Sequence, residues 1–303
     1  MSFIDEYDRG EWRIESVLGN GAYGKVYKIF KEEAEGIKTY SALKVIPVPQ
    51  SDSEIRQLMS EGLKGDQIRT YISAMVEDIT REAQLIKAFK DTTNIAVYED
   101  FQVIQRPGEL GATVLLRMEL LDKLEKVFSE RKTKESDTIK IGIDITRALE
   151  ILAQHNIVHR DVKLENIFLS KSGNYKLSDF GIARQIDESS TALSVKGTYS
   201  YMAPEVYHRL KYGAAVDIYS LGLVLYRLAN NGRAPFLSAV GMLDLSDREN
   251  ALQKRLSGEP LPPPAEASPE LSKIILKACA YDPKDRFSSA TEMRNALEKI
   301  GMA

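Results

Sequence analysis

Near Leu120 the apolar periodicity of this chain switches from strand-like to helix-like, and that switch limits the fold more than any other feature. Ahead of it, Trp12–Leu18, Lys25–Phe30, Tyr40–Ile46, Ile95–Ile104 and Thr113–Glu119 read as strands, the third ended by Pro47 and Pro49. Short turns at Gly19–Gly24 and around Pro107, Gly108 and Gly111 predict antiparallel pairing. Between the third and fourth strands, Ser51-Asp52-Ser53 can cap a short helix reaching Glu61, with Gly62 and Gly65 breaking it. From Asp66, the residues Ile68, Tyr71, Ile72, Met75, Val76, Ile79, Ala83, Ile86 and Phe89 fall at helical spacing. That is one helix of about 24 residues, about 36 Å long.

After the switch, Ser136–His155 reads as a buried helix on Ile139, Ile143, Ile145, Leu149 and Leu152. Short strands at Ile167–Leu169 and Tyr175–Leu177 flank the turn Ser172-Gly173-Asn174. A serine-rich polar loop covers 185–196, and helical patterns run to the end with breaks at Pro260–Pro264 and Tyr281-Asp282-Pro283. The expected class is α+β: a small antiparallel β lobe with one main helix over 1–120, and a larger, mainly helical lobe over 121–303.

Composition removes several function classes. A formal net charge of −3 gives no sign of a nucleic-acid or anionic-membrane partner. One cysteine, Cys279, excludes an internal disulfide and a cysteine metal cluster, and a reducing, cytoplasmic setting is expected. His155, His159 and His208 lack metal-ligand spacing. No apolar run reaches the length of a membrane span, and Met1–Glu6 has neither the basic start nor the apolar centre of a signal peptide.

Four stretches carry chemistry. His159-Arg160-Asp161-Val162-Lys163-Leu164-Glu165-Asn166 packs a carboxylate, a cation and an amide into eight residues, a set suited to transferring a charged group to a hydroxyl. Gly19-Asn20-Gly21-Ala22-Tyr23-Gly24-Lys25-Val26 lets backbone N–H groups approach phosphate oxygens. A strand and not a helix follows it, which argues against a dinucleotide fingerprint and for a phosphate-capping hairpin. Lys44 lies in an otherwise apolar strand, one strand after that hairpin; a solvated lysine is the ordinary reading, a phosphate-directed cation the sharper one. Such a cation needs a carboxylate, and Glu82 is the first candidate, Glu77 the second. Asp179-Phe180-Gly181 places a carboxylate at a strand end, a good hard-metal ligand when joined by Asn166.

In this order, and together with Ala203-Pro204-Glu205, Asp217-Ile218-Tyr219-Ser220-Leu221-Gly222 and Arg286, these stretches resemble a eukaryotic-type (Hanks-type) serine/threonine protein kinase catalytic domain, over essentially the whole chain. The Asp179–Arg184 run resembles bacterial members. The resemblance implies a bilobal fold and a cofactor pair of ATP and Mg²⁺, with Mn²⁺ an alternative. By it, Gly19, Asn20, Gly21, Ala22, Tyr23 and Gly24 cover the phosphates, and Val26 and Ala42 pack on adenine. Lys44, held by Glu82, contacts the α- and β-phosphates. Met118 is the gatekeeper, Glu119 and Leu120 form the hinge, and Phe168 lies beneath the base. Asn166 and Asp179 bind the metal, Asp161 deprotonates the acceptor hydroxyl and Lys163 steadies the phosphoryl group. Lys163 and Thr198 mark the serine/threonine class, so the implied partner is a protein with a Ser or Thr acceptor. Glu205 and Arg286 are expected to form a buried ion pair, and Asp217 to anchor the catalytic loop. Arg160, Arg184, Thr191 and Ser194 are candidates for control by phosphorylation of the 185–196 loop.

The chain departs from the pattern in two places. The segment between Lys44 and Glu82 is longer than in most of the family, so 47–80 is either a tolerated surface insertion, the reading with more weight, or a surface for a partner or second copy. Leu121-Asp122-Lys123-Leu124 lacks the usual glycine pair, leaving the ribose contact open between Asp122 and Lys123. Two rivals stand beside the kinase reading: a nucleotide-binding pseudokinase scaffold, and a small-molecule kinase of related fold. The end of the chain fits a free-standing kinase or an excised catalytic domain, with no sensor domain or anchor expected.

Overall fold

The structure is a computed structural model that describes residues 12–21, 24–105, 110–129, 133–180, 198–237 and 244–301. Its described residues divide into two compact units between Leu121 and Asp122. Among them no helix is long and apolar enough to cross a membrane.

The first unit is built on five strands: β1 (Trp12–Gly21), β2 (Gly24–Glu32), β3 (Lys38–Val48), β4 (Tyr98–Gln105) and β5 (Ala112–Glu119). They form one antiparallel sheet in the order β1-β2-β3-β5-β4. Register decides which side chains share a face. Val26 pairs with Lys44 and Lys44 with Leu116, while Ala42 pairs with Met118. Because opposed residues point the same way and the side-chain period is two, Val26, Ala42, Lys44, Leu116 and Met118 lie on one face. The other face carries the apolar cluster of Ile29, Leu43 and Leu115.

Pro47 was expected to end the third strand but lies inside β3, opposite Thr113. The β2 ladder stops at Val45, so the missing N–H of Pro47 falls where β3 has a neighbour on one side only. The fourth strand starts at Tyr98 instead of Ile95; Ile95 and Ala96 are buried in the approach to it.

Two helices follow β3. In α1 (Asp52–Ser60), Ser51 takes the N-cap place, but its hydroxyl meets Ser53 Oγ at 2.6 Å and leaves the helix N–H groups alone. Glu54 instead reaches back to accept the Gln50 N–H at 3.1 Å. Gly65 opens the next helix, α2 (Gly65–Lys87), where a break was expected. The Lys64 N–H donates to Gln67 Oε1 at 2.8 Å, which closes the first turn without a capping hydroxyl. α2 is the single long helix that the spacing predicted, and Ile68, Ile72, Met75, Ile79, Ala83 and Ile86 are buried where it packs on β3, β4 and β5. The segment 47–80 therefore comprises the end of β3, α1 and most of α2, with Met59 exposed.

The second unit carries α3 (Leu124–Ser129), α4 (Glu135–Gln154), α5 (Pro204–Tyr207), α6 (Ala215–Leu228), α7 (Leu245–Leu256), α8 (Pro269–Ala278) and α9 (Ala290–Gly301). It also holds a small sheet, β6-β7-β8, made of Asp122–Lys123, Ile167–Leu169 and Tyr175–Leu177; β6 was not expected. The core gathers around α6, buried from Val216 to Tyr226. α6 approaches α8 closely because Gly222 has no side chain: a Cβ there would lie 2.7 Å from Cys279 Sγ and 2.9 Å from Ala278 Cβ. Cys279 is buried, and burial pushes its thiol up to about 12. α4 turns Ile139, Ile145, Leu149 and Leu152 inward as expected, whereas Ile143 is half-buried.

Candidate active site

The loop 159–166 owes its shape to a carboxylate on α6. Asp217, buried, accepts the backbone N–H groups of His159 at 2.7 Å and Arg160 at 2.8 Å. This holds Arg160 at φ 65°, a left-handed conformation that non-glycine residues seldom take. Burial raises the Asp217 carboxyl to about 6, against the pull of the two N–H groups.

His159 is fully buried and links this loop to the strand end that carries Asp179. Its Nδ1 accepts the Asp161 N–H at 3.3 Å, and its Nε2–H donates to the Ser178 carbonyl at 3.2 Å. That pattern requires the neutral ring, and burial lowers its pKa to about 4. The Phe180 ring packs against it at 4.8 Å between centroids. Asp179, between Ser178 and Phe180, sits at φ 57°. Asp and Asn tolerate that region better than other non-glycine residues.

Three groups then converge. Lys163 Nζ donates to Asp161 Oδ2 at 2.7 Å, and Asn166 Nδ2 donates to the same oxygen at 2.9 Å and to the Asp161 carbonyl at 2.9 Å. Two donors on one oxygen fix the rotation of the carboxylate. With its amide nitrogen engaged, Asn166 has Oδ1 as its other polar atom, and Asn166 and Asp179 are the two residues that could hold a cation. Hard oxygen donors of this kind suit Mg²⁺, which commonly takes one or two protein ligands and completes its shell with water and phosphate. No group of three or more His, Cys, Asp or Glu side chains able to hold a metal occurs among the described residues.

In the first unit, the third glycine of the hairpin is required by contact. A Cβ on Gly24 would lie 1.9 Å from the Val45 carbonyl oxygen, and its φ is +144°. Lys44 and Glu82 are both buried, at 7% and 9% exposure, whereas Glu77 is exposed. At Glu119, the backbone N–H donates to the Val97 carbonyl at 3.1 Å, so the sheet takes that donor; Glu119 Oε1 in turn accepts the Val97 N–H at 2.7 Å.

The protein kinase domain family model matches residues 12–298. The chain belongs to the protein kinase family. This kinase domain is 33% identical over 229 residues to the serine/threonine-protein kinase PknB of Mycolicibacterium smegmatis, covering 73% of this chain and 35% of that protein. It is 32% identical over 299 residues to a probable serine/threonine-protein kinase of Streptomyces coelicolor, covering 95% of this chain and 40% of that one. With serine/threonine-protein kinase 36 of Pongo abelii it shares 28% identity over 284 residues, or 92% of this chain and 18% of the other. The kinase domain spans about a third of the length of its PknB relatives.

The structure also places the remaining candidate residues of the kinase domain. Gly19, Asn20 and Gly21 lie at the end of β1, and Gly21 pairs with Gly24. Leu120 follows β5, half-buried, and Phe168 lies half-buried on β7 opposite Lys123 and Lys176. Asp122 and Lys123 are both exposed on β6. Thr198 opens a short turn over Thr198–Ser200, with its side chain outside the described set. Ala22, Tyr23, Gly181, Arg184, Thr191 and Ser194 lie outside the described residues. Arg160 has its guanidinium carbon 5.6 Å from the centre of the Tyr212 ring.

The expected ion pair is present and buried. Arg286 Nη1 and Nη2 donate to Glu205 Oε1 and Oε2 at 2.7 and 2.8 Å, and its other N–H groups meet the carbonyls of Ala280, Ala215 and Tyr281. One supporting residue escaped the sequence reading. Asp144 on α4, 2% exposed, accepts the Tyr175 N–H at 2.9 Å and ties α4 to β8, the strand leading to Asp179. Its only signal was position: it stands next to Ile145 and three residues after Ile141, on the buried side of α4.

Proposed function

We propose that this kinase domain transfers the γ-phosphoryl group of ATP to serine or threonine hydroxyls of proteins. What carries the reading is the convergence of Lys163 Nζ and Asn166 Nδ2 on Asp161 Oδ2 at 2.7 and 2.9 Å. A carboxylate held in this way can take the proton of an acceptor hydroxyl as its oxygen bonds to phosphorus and the bond to the leaving ADP oxygen breaks. Lys163 offsets negative charge on the transferring group. Asn166 and Asp179 would hold Mg²⁺, which would supply positive charge against the phosphates. The face of Val26, Ala42 and Met118 receives adenine, beside the Glu119–Leu120 hinge. Glycines 19, 21 and 24 give backbone donors for the phosphates, and Lys44, paired with Glu82, meets the α- and β-phosphates. Thr198 joins Asp161 and Lys163 on the acceptor side.

The names of the relatives support a serine/threonine acceptor. The presence of Lys44, Asp161, Asn166 and Asp179 together speaks against a pseudokinase scaffold. Phosphorylation at Thr191 or Ser194, read by Arg160 and Arg184, is the control we assign to the 185–196 loop; peptide mapping of active protein without phosphate there would remove it. A lone buried thiol at Cys279 fits a reducing, cytoplasmic setting. The deciding assay follows phosphate transfer from ATP and Mg²⁺ to generic protein acceptors. Asp161→Asn is expected to lower kcat by about 10²–10³-fold with the fold retained. Wild-type protein that binds nucleotide and transfers nothing would leave the scaffold reading in place.

A further inference from the structure

Arg255, near the C-terminal end of α7, is 5% exposed, yet among the described residues no carboxylate pairs with it. A buried guanidinium is costly to desolvate, and one met only by neutral acceptors is unusual. Its partners are specific. Nη2 donates to the Tyr199 carbonyl at 2.6 Å, and Nη1 donates to the Met202 carbonyl at 2.7 Å and to the Tyr219 hydroxyl at 2.8 Å. Tyr219 is itself buried on α6 and lies under Arg286, whose guanidinium carbon is 4.6 Å from its ring centre.

Two buried arginines therefore hold consecutive parts of one segment: Arg255 takes the carbonyls of Tyr199 and Met202, and Arg286 takes Glu205. Between the two carbonyls held by Arg255 lies Tyr201. Its own carbonyl accepts from Ser220 Oγ at 2.8 Å, and its hydroxyl meets Arg227 Nη1 at 2.9 Å and the backbone of Leu164. Leu164 follows Lys163 in the loop that carries Asp161. The segment 199–202 thus has the Tyr201 hydroxyl beside the loop that carries Asp161 and is clamped from α7 at Tyr199 and Met202.

We propose that Arg255 is a positioning residue for the protein acceptor, clamping the backbone at Tyr199 and Met202 in the form that receives the acceptor chain beside Asp161. The role rests on the kinase reading above. α7 thereby couples acceptor binding to a segment it does not adjoin in sequence, through bonds to main-chain carbonyls that are indifferent to the residue types at 199 and 202.

The test compares wild type with Arg255→Met and Arg255→Lys. Initial rates are measured against myelin basic protein and against ATP, alongside thermal melts and amide hydrogen exchange over 199–203. For Arg255→Met the KM for the acceptor is expected to rise by about tenfold to a hundredfold, the loss of hydrogen bonds to a charged donor, with the KM for ATP within about twofold. Exchange over 199–203 is expected to accelerate without a matching change over 159–166. Arg255→Lys, which keeps the charge but not the fork, should recover part of the acceptor KM. An unchanged acceptor KM in a folded, active variant overturns the role of Arg255 alone. So does unchanged exchange over 199–203, or an equal loss in every kinetic constant. Wild type that phosphorylates no acceptor overturns the kinase reading itself, and with it the acceptor role.

Discussion

The carboxylate of Asp217 accepts the backbone N–H of His159 at 2.7 Å, placing two buried titratable groups with opposed shifts side by side. His159 is lowered to about 4 and Asp217 raised to about 6.

Those shifts act on stability with opposite sign. His159 binds fewer protons folded than unfolded, so its contribution is present above pH 6.5 and lost as pH falls toward 4. Asp217 binds more protons folded than unfolded, so its contribution is present below pH 3.8 and lost as pH rises through 6. Each is worth about 3 kcal/mol when fully developed, and they largely cancel between pH 4 and 6. Asp217→Asn removes one limb. Urea melts should show its stability falling more steeply than that of wild type as pH drops from 6.5 to 4.5. Parallel slopes for the two proteins would contradict the opposition.

Glu82 and Glu77 separate cleanly by burial, and the kinetics should follow. Glu82→Gln is expected to lower kcat/KM by about 10²-fold, with the KM for ATP affected. Glu77→Gln, on the exposed side of α2, should stay within about twofold, since surface changes away from a site do little. Steady-state rates on the two variants check this, and equal effects would mean that the helix register does not select the partner of Lys44.

The Arg286–Glu205 pair predicts an asymmetric stability cycle. Arg286→Met or Glu205→Gln alone leaves a buried polar group without its partner and should cost about 3–5 kcal/mol. Arg286→Met combined with Glu205→Leu should recover a good part of that loss. Denaturant titration of all variants measures the coupling, and strict additivity would show that the pair acts as two independent groups.

Gly24→Ala tests the close approach of β2 to β3. A methyl group 1.9 Å from the Val45 carbonyl, on a backbone at φ +144°, should cost about 1–3 kcal/mol. Gly36→Ala is the control: its φ is +76°, but nothing lies within 4 Å of the added carbon. A Gly24→Ala variant no less stable than Gly36→Ala would show that the β2–β3 contact yields readily.

Much of the arrangement could be read from residue order alone, because the groups we propose for handling phosphate sit in short contiguous stretches. Gly19–Gly24 and His159–Asn166 each hold their chemistry within a few positions. The single long α2 and the β7–turn–β8 hairpin were equally legible, since both follow from local periodicity. Residues whose meaning comes from a distant partner were not. Asp144 in an amphipathic helix looks like a solvent-facing carboxylate until the Tyr175 N–H arrives from β8. Arg255 looks like one more cation on α7 until the carbonyls of Tyr199 and Met202 close on it. Pro47 misled for a related reason: a proline ends a strand only where its N–H is needed, and that depends on where β2 stops.

Gly222 lets α6 lie so close to α8 that Cys279 is sealed between them. As the chain has one cysteine, this contact supplies a built-in clock for unfolding. A maleimide dye can reach the thiol only when the helical unit opens, and its high pKa slows attack by the folded protein further. Labelling rate against dye concentration then reports how often that unit opens, in wild type and in every variant above, with no cysteine to add or remove.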